Sequence, residues 1–472
     1  MASHGYGPPR AQRYRERVLY EKSLVKLILW LAWPMVVTAS INSLYQLADT
    51  IWLGRLGAAA LGTPALSWPF MMLFNSVGFG LSASVSALVG QYVGAGDYRS
   101  ASKAYGNILA LFLAIGVPVT IAAELLAPVY VRLTRMPSDI AGLASTYISI
   151  IVAGLPALYI FMLYATGLNA LGDTRTPMKL GLASTLANVI LDPILIFPPV
   201  GLGVAGAAIA TLVSNVGVTG YVLYALARGM HGLRVRLEDL RIEKSIVSKA
   251  MRVSSPVIGQ QLATAAGFSV MAGIVAGLGT AVAAAYSIGQ ALLSIDRIVL
   301  MPLARSASII VSQSLGAELI DRAKKAARLS LGLIALLGAA IVAFVVLARG
   351  PFIALFTSDP IVFPEASRMI LIFAPSALFF EFLMLGNAVA RASGHTLFMS
   401  IVSVVRLWGL RITLSYLLAY VLGMASTGLW LGMAISNYVT GAASVAWILA
   451  STWAKPIIRP RRIPQYSSVE GG

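Results

Sequence analysis

The chain has 472 residues, 58% of them hydrophobic and only 11% charged, with no cysteine and a formal net charge of +17. So few charges cannot cover a soluble protein of this length, so lipid is the expected solvent for much of it. The missing cysteines exclude disulfides, thiolate metal sites and cysteine catalysis.

In chain order, residues 1–22 form a polar, basic tail containing "RAQRYRER". No cleavable signal pattern is present, so the first apolar span would itself direct insertion. Apolar runs able to cross about 30 Å of hydrocarbon follow one another to the end of the chain. Twelve are expected, at roughly 24–53, 59–88, 105–130, 140–168, 178–199, 203–227, 246–272, 278–311, 327–348, 366–390, 397–422 and 426–453. They are too long, and too little alternating, for strands of a membrane β-barrel.

With the termini placed in the cytoplasm, the tails and even-numbered connections carry 26 of the 35 lysines and arginines. The opposite loops carry five: Arg55, Arg132, Arg135, Arg349 and Arg368. This positive-inside pattern assigns the net charge to membrane topology rather than to nucleic acid. It implies a multi-pass protein of the plasma membrane with both termini cytoplasmic. The connection "RGMHGLRVRLEDLRIEK" reads equally as a strip along anionic headgroups or as a solvated linker.

Sliding the chain against itself by 222 residues aligns Pro34 with Pro256, Ser84 with Ser306, Gln91 with Gln313, Gly172 with Gly394, and Asn215 with Asn437. The register runs ungapped for about 180 residues, which apolar composition alone does not produce. Two copies of a six-span unit are expected, 23–228 and 250–454, joined by 229–249 and followed by a tail at 455–472. The fold class is therefore all-α integral membrane, with twelve transmembrane helices. An even span number gives both copies one orientation, related by a pseudo-twofold axis along the membrane normal. Paired repeats of this kind suit alternating access.

Charges inside spans are expensive and mark ion pathways by default. Asp49 lies six residues before Arg55, about 9 Å from the end of its helix. Asp192 lies at similar depth, with Asn188 one turn before it, as Tyr45 is one turn before Asp49. Thr211 follows in the sixth span. Such a group can take up a proton, or offer oxygens to a hard cation; interhelical glue is the plainer alternative. At offset 222, Asp49, Asn188 and Asp192 meet Met271, Leu410 and Leu414. Acids needed only to hold the fold would recur in both copies, so the asymmetry favours function in the first. Asp296 with Arg297, and Glu381 with Arg406 and Arg411, are expected to form structural ion pairs. Pro34 is a candidate bending point in the first span.

The stretches "LYQLADTIWLGRLGAAALG", "LVGQYVGAGDYRSASKA", "LNALGDTRTPMK", "NVILDPILIF" and "GLGVAGAAIATLVSN" resemble the multidrug and toxic compound extrusion (MATE) transporters, most closely their DinF-like archaeal and bacterial branch. The resemblance implies two six-helix lobes around a V-shaped cavity. It also implies export of amphiphilic, often cationic, compounds in exchange for protons or sodium, by a protein expected to act as a monomer without a cofactor. It assigns ion coupling to Asp49, Asn188, Asp192 and Thr211, which would also be the metal ligands if the ion is sodium. Tyr45 stands beside them as a pocket residue, and helix bending falls on Pro34. An asparagine of that branch falls on Ala165 here, and Asn169, one turn on, is the expected substitute in the pocket. The seventh span, where another branch of the family has an acid, carries Gln260 and Gln261.

A membrane enzyme is disfavoured: the three histidines, His4, His231 and His395, lie in tails or loops, and no metal-ligand spacing is present. A channel filter is not visible. The runner-up transporter is a flippase for lipid-linked saccharides, which would line its cavity with arginines such as Arg297, Arg305, Arg406 and Arg411.

Overall fold

The structure is a computed structural model that describes residues 9–134 and 136–458. His4, Arg135 and the tail beyond residue 458 lie outside the described residues. The first lobe comprises α2 (Leu24–Gly54), α3 (Ala58–Gly94), α4 (Tyr98–Leu133), α5 (Ser138–Ala153), α6 (Leu155–Leu171), α7 (Arg175–Ile196) and α8 (Gly203–Arg228), preceded by α1 (Pro9–Tyr20). The second comprises α9 (Lys244–Gly277), α10 (Thr280–Gly316), α11 (Ile320–Leu347), a short α12 (Arg349–Ala354), α13 (Val362–Ser393), α14 (Thr396–Val421) and α15 (Ala425–Ala450). Eleven helices are each long and apolar enough to cross a membrane, and the bent pair α5–α6 supplies a twelfth span.

That pair departs from the single span expected over 140–168. The axis turns by 46° at Gly154. Glycine weakens the helix there, and Pro156 removes a backbone donor just beyond it. At offset 222 these positions are Ser376 and Leu378, and α13 runs unbroken.

The repeat is also written in the backbone. Gly57 and Gly279 precede α3 and α10 at φ 114° and 104°, and Gly172 and Gly394 end α6 and α13 at φ 91° and 81°. The matching ends of α3 and α10 carry Gly96 and Glu318, at φ 78° and 61°.

Both described ends of the chain lie at one face of the bundle, here the terminus face. The lobes are tied together there. Gln91 Nε2 donates to the Ala392 carbonyl at 3.1 Å, and Gln313 Nε2 donates to the Ala170 carbonyl at 2.7 Å. Each pair is the other displaced by 222 residues, so the pseudo-twofold axis passes between them. Gly94 and Gly316 allow this approach, because a Cβ on either would collide with the carbonyl of Gln313 or Gln91. Among the described residues, every side-chain hydrogen bond between the lobes lies at the terminus-face ends of the helices. The far-face halves are therefore the ones free to part.

The basic tail is not simply a solvated segment. Ala11, Val18 and Leu19 form a buried stripe on α1, at the i, i+7, i+8 spacing of an amphipathic helix. Arg15 donates to the Gly94 carbonyl at 3.0 and 2.9 Å, satisfying the C-terminus of α3. Arg10 pairs with buried Asp173 at 2.9 Å. The linker is likewise docked: Asn107 of α4 bonds the Asp239 carbonyl and the Glu243 N–H, and Arg99 pairs with Asp239 at 2.8 Å.

Candidate functional site

Three helices meet near the far face of the first lobe. α2 brings Tyr45 and Asp49, α7 brings Asn188 and Asp192, and α8 brings Thr211. Tyr45 Oη lies 3.4 Å from Thr211 Oγ1, joining α2 to α8. The Asn188 amide is satisfied with its nitrogen toward Asp192 Oδ2 (3.1 Å) and Tyr45 Oη (3.3 Å). Its oxygen then accepts from the Thr211 hydroxyl (3.2 Å) and backbone N–H (2.9 Å). These partners fix which end of the amide is nitrogen. Asp192 is 1% exposed and Asn188 4%. Asp192 Oδ1 has no hydrogen-bond partner. Asp49 is half-buried, and the charges of Asp49 and Asp192 lie within Coulombic range of each other.

Among the described residues no lysine or arginine pairs with either acid. Two desolvated carboxylates without a basic partner are a demand for a positive ion. The group offers four kinds of oxygen and one amide, which suits a proton or a hard monovalent cation and no soft metal. Tyr147 of α5 belongs here too, packed on the patch of Leu53, Ile196 and Val204 and within Coulombic range of both acids. Sequence reading missed it, because a lone tyrosine on an apolar helix carries no signal of what it faces.

The structure does not bring Asn169 into this group. Asn169 sits three residues before Gly172, where α6 ends at the terminus face. It lies two residues, about 3 Å, inside the end of α6, and Asp192 lies 17 residues, about 25 Å, beyond the start of α7, so they stand roughly 20 Å apart in depth at 1.5 Å per residue.

Pro34 lies where α2 changes partners. Leu24, Leu27, Ile28, Leu31 and Met35 pack against Leu300, Leu303, Ala307 and Ile310 of α10 in the second lobe. Beyond Pro34 the helix turns to its own lobe, with Thr38 against Gly181 and Leu53 against Ile196.

The second lobe holds a different arrangement. The expected ion pairs of Asp296 with Arg297, and of Glu381 with Arg406 and Arg411, do not form. Both Glu381 oxygens and Asp296 Oδ1 lack hydrogen-bond partners. Arg411 donates instead to Asn437 Oδ1 at 2.7 Å and to Ser436 Oγ at 3.2 Å, and Arg406 reaches Asn437 Oδ1 at 3.4 Å. The cause is local winding. Residues Val405–Ile412 of α14 form a π-helical segment. Positions five apart diverge by about 140° on an α-helix, but the i→i+5 winding stacks 406 and 411 toward one partner.

The MatE family model matches residues 34–194 and 256–417, two segments whose starts are 222 residues apart. A probable multidrug resistance protein of Bacillus subtilis, YoeA, is 25% identical over 407 residues, covering 84% of this chain and 88% of its own length. An FAD transporter of Shewanella oneidensis is 28% identical over 424 residues, covering 88% and 91%. A multidrug resistance MATE transporter solved in an outward-facing conformation superposes with a TM-score of 0.86 at 23% identity, over 95% of this chain and 99% of the other.

Proposed function

The chain belongs to the MatE family, and from that premise we propose that it is a secondary antiporter. It exports amphiphilic organic compounds, cations among them, in exchange for protons or sodium, with Asp49 and Asp192 carrying the coupling ion. The observation that carries the reading is a pair of acids without a basic partner: Asp192, bonded to Asn188 and through it joined to Tyr45 and Thr211, and Asp49, one turn beyond Tyr45 and within Coulombic range of Asp192. The relatives' names supply the substrate class: multidrug resistance for one, a phosphate-bearing flavin nucleotide for another. The positive-inside charges support cytoplasmic termini in the plasma membrane. The chain is read as a monomer, since each lobe finds its partner within it.

In the mechanism, the far-face halves stand apart while Asp49 and Asp192 are exposed to the outside. Uptake of the ion removes the repulsion between the two carboxylates and the cost of leaving them bare. The far half of α2, anchored beyond Pro34 only to its own lobe, then closes against α7 and α8 and displaces the compound. Substrate and ion thus bind different states with different affinity, which coupling requires.

The test is ethidium transport in proteoliposomes under separate pH and sodium gradients. Uphill transport driven by one of them is expected, and its loss in folded Asp49→Asn and Asp192→Asn variants. Uphill transport that survives both substitutions would sink the coupling role. The flippase alternative needs arginines along the cavity between the lobes. Arg297 and Arg305 are exposed while Arg406 and Arg411 are buried within the second lobe, so the gradient-driven exchange, and not the arginines, separates the two readings.

A further inference from the structure

The second lobe contains a pocket that the coupling scheme does not use. Its cavity volume is about 60 Å³, and it is lined by Phe268, Asp296, Arg297, Phe373, Phe380, Arg406, Arg411 and Asn437, among others. That space admits a small group such as a phosphate at the floor, and a larger body must extend through the mouth. Phe268 and Arg297 are exposed at its mouth, on α9 and α10, the second-lobe helices that pack against the first lobe. Arg406 and Arg411 are 5% and 4% exposed at its floor.

Two guanidiniums share this floor with no counter-ion. Among the described residues neither forms an ion pair. Arg406 Nε has no hydrogen-bond partner, and its only bond to an oxygen is the 3.4 Å contact with Asn437. The acids nearby, Asp296 and Glu381, lie within Coulombic range of each other and of Arg297 instead. Arg406 stacks on Phe380 at 4.9 Å and Arg411 on Phe373 at 5.4 Å, so aromatic faces wall the charged floor. π-Helical turns arise often at functional sites, and this one holds both charges on one face. Arg411 already spends its Nε and Nη2 donors on Ser436 and Asn437, whereas Arg406 has only the 3.4 Å contact to Asn437, so Arg406 offers the guanidinium edge open to an oxyanion and Arg411 adds its charge.

We propose that this pocket binds the anionic end of an amphipathic compound, a phosphate held by Arg406 and Arg411, with an aromatic or apolar body lying against Phe268, Phe373 and Phe380. The phosphate belongs either to a soluble aromatic ester or to a lipid headgroup. The proposal rests on the transporter reading for its purpose, but the site stands or falls on binding alone. The first lobe then holds the coupling ion and the second lobe an acidic substrate, at separate places.

The experiment measures quenching of flavin fluorescence by the purified full-length protein in neutral detergent. Flavin mononucleotide and riboflavin share one ring system and differ by the phosphate. The nucleotide is expected to bind about tenfold tighter or more. Arg411→Gln and Arg406→Gln should bring it down to the riboflavin level, while Gly332→Ala, where a Cβ meets open space, leaves the preference intact. Inorganic phosphate should compete with the nucleotide where chloride of equal ionic strength does not, a readout on the native chain that no misfolded variant affects. In nanodiscs of neutral lipid, displacement by added phosphatidic acid assigns the site to a lipid phosphate, and failure to displace assigns it to a soluble one. Equal affinity for the two flavins, with no displacement by inorganic phosphate or phosphatidic acid, would overturn the proposal. So would a phosphate preference that persists in folded Arg406→Gln and Arg411→Gln proteins. Ethidium exchange without phosphate binding would keep the antiporter and remove this site; phosphate binding without exchange would do the reverse.

Discussion

Ser184 and Arg406 hold the same place in the two copies and make the same bond, Ser184 to Asn215 and Arg406 to Asn437, each at 3.4 Å. One duplicated contact thus carries a neutral hydroxyl in the first lobe and a guanidinium in the second. The neighbours diverge in the same sense: Asn188 and Asp192 face Leu410 and Leu414 in the register, and Val189 faces Arg411. The scaffold is symmetric while its charge is not. α7 carries an acid into its lobe and α14 carries two bases into the other, and the proposed reading gives each lobe the opposite sign of ion.

Asn188→Leu tests the first half of that division, since leucine is what the second copy has at this place. The substitution takes from Asp192 Oδ2 its donor, while the Thr211 hydroxyl keeps the Ala207 carbonyl as acceptor at 3.1 Å. Leaving buried polar groups unpaired costs about 1–3 kcal/mol, so the melting temperature in detergent should fall while the protein still inserts. Uphill ethidium transport should drop about tenfold or more, equivalent to about 1.4 kcal/mol of coupling. Transport at the native rate in a stable Asn188→Leu protein would detach this amide from ion coupling.

Pro34→Ala addresses the hinge. Alanine restores the backbone donor that proline lacks, and the helix interior gains up to about 3 kcal/mol. The variant should therefore melt higher than the native protein. Exchange should slow, because the two halves of α2 answer to different lobes and now bend less easily. Equilibrium binding of ethidium, measured by its fluorescence, should hardly change. A higher melting temperature with undiminished turnover would place the bending elsewhere.

Gly316→Ala strikes the contact on the pseudo-twofold axis. The new Cβ would collide with the backbone carbonyl of Gln91, which has no flexible tip to move aside. The lobes must separate at the terminus face, weakening the Gln91 and Gln313 hydrogen bonds to opposite-lobe carbonyls. Overpacking of this kind costs roughly 1–3 kcal/mol. A lowered melting temperature is expected, with faster cleavage by a protease added on the terminus side of oriented vesicles. Gly332→Ala, where a Cβ meets open space, is the matched control.

Much of this was legible in the sequence. Apolar run length gave the spans, and the constant offset of 222 gave the lobes, because membrane helices and ungapped duplications are both one-dimensional signals. Asp49, Asn188, Asp192 and Thr211 converge as their depth from the far-face ends required. What escaped depended on side-chain direction or on helical winding. The Gly154 break turned one expected span into two helices. The amphipathic stripe of α1 lay within a basic tail whose charges dominated its average. The pairing of the α14 arginines with Glu381 follows from the need of buried charges for partners, and the π-helical segment turns them to Asn437 instead.

Glu318→Gly tests whether the second copy has kept a strained end where the first has none. The two helix ends are closed alike: Asp97 N–H bonds the Tyr92 carbonyl and Gly96 N–H bonds Val93, as Leu319 bonds Ser314 and Glu318 bonds Leu315. This closure needs a left-handed residue after the helix, for which glycine is the usual choice. Glu318 fills that role at φ 61°, is exposed, and forms no ion pair among the described residues. A left-handed conformation costs an ordinary residue roughly 1–2 kcal/mol. Glycine gives back about 0.5–1 kcal/mol of that through its freer unfolded chain. Glu318→Gly should therefore stabilise the protein by somewhat under about 1 kcal/mol, raising the melting temperature slightly and leaving exchange untouched. Gly96→Ala should do the opposite at the matching end, where φ is 78°. If Glu318→Gly lowers the melting temperature, the carboxylate makes a contribution at the α10 terminus that outweighs its backbone strain.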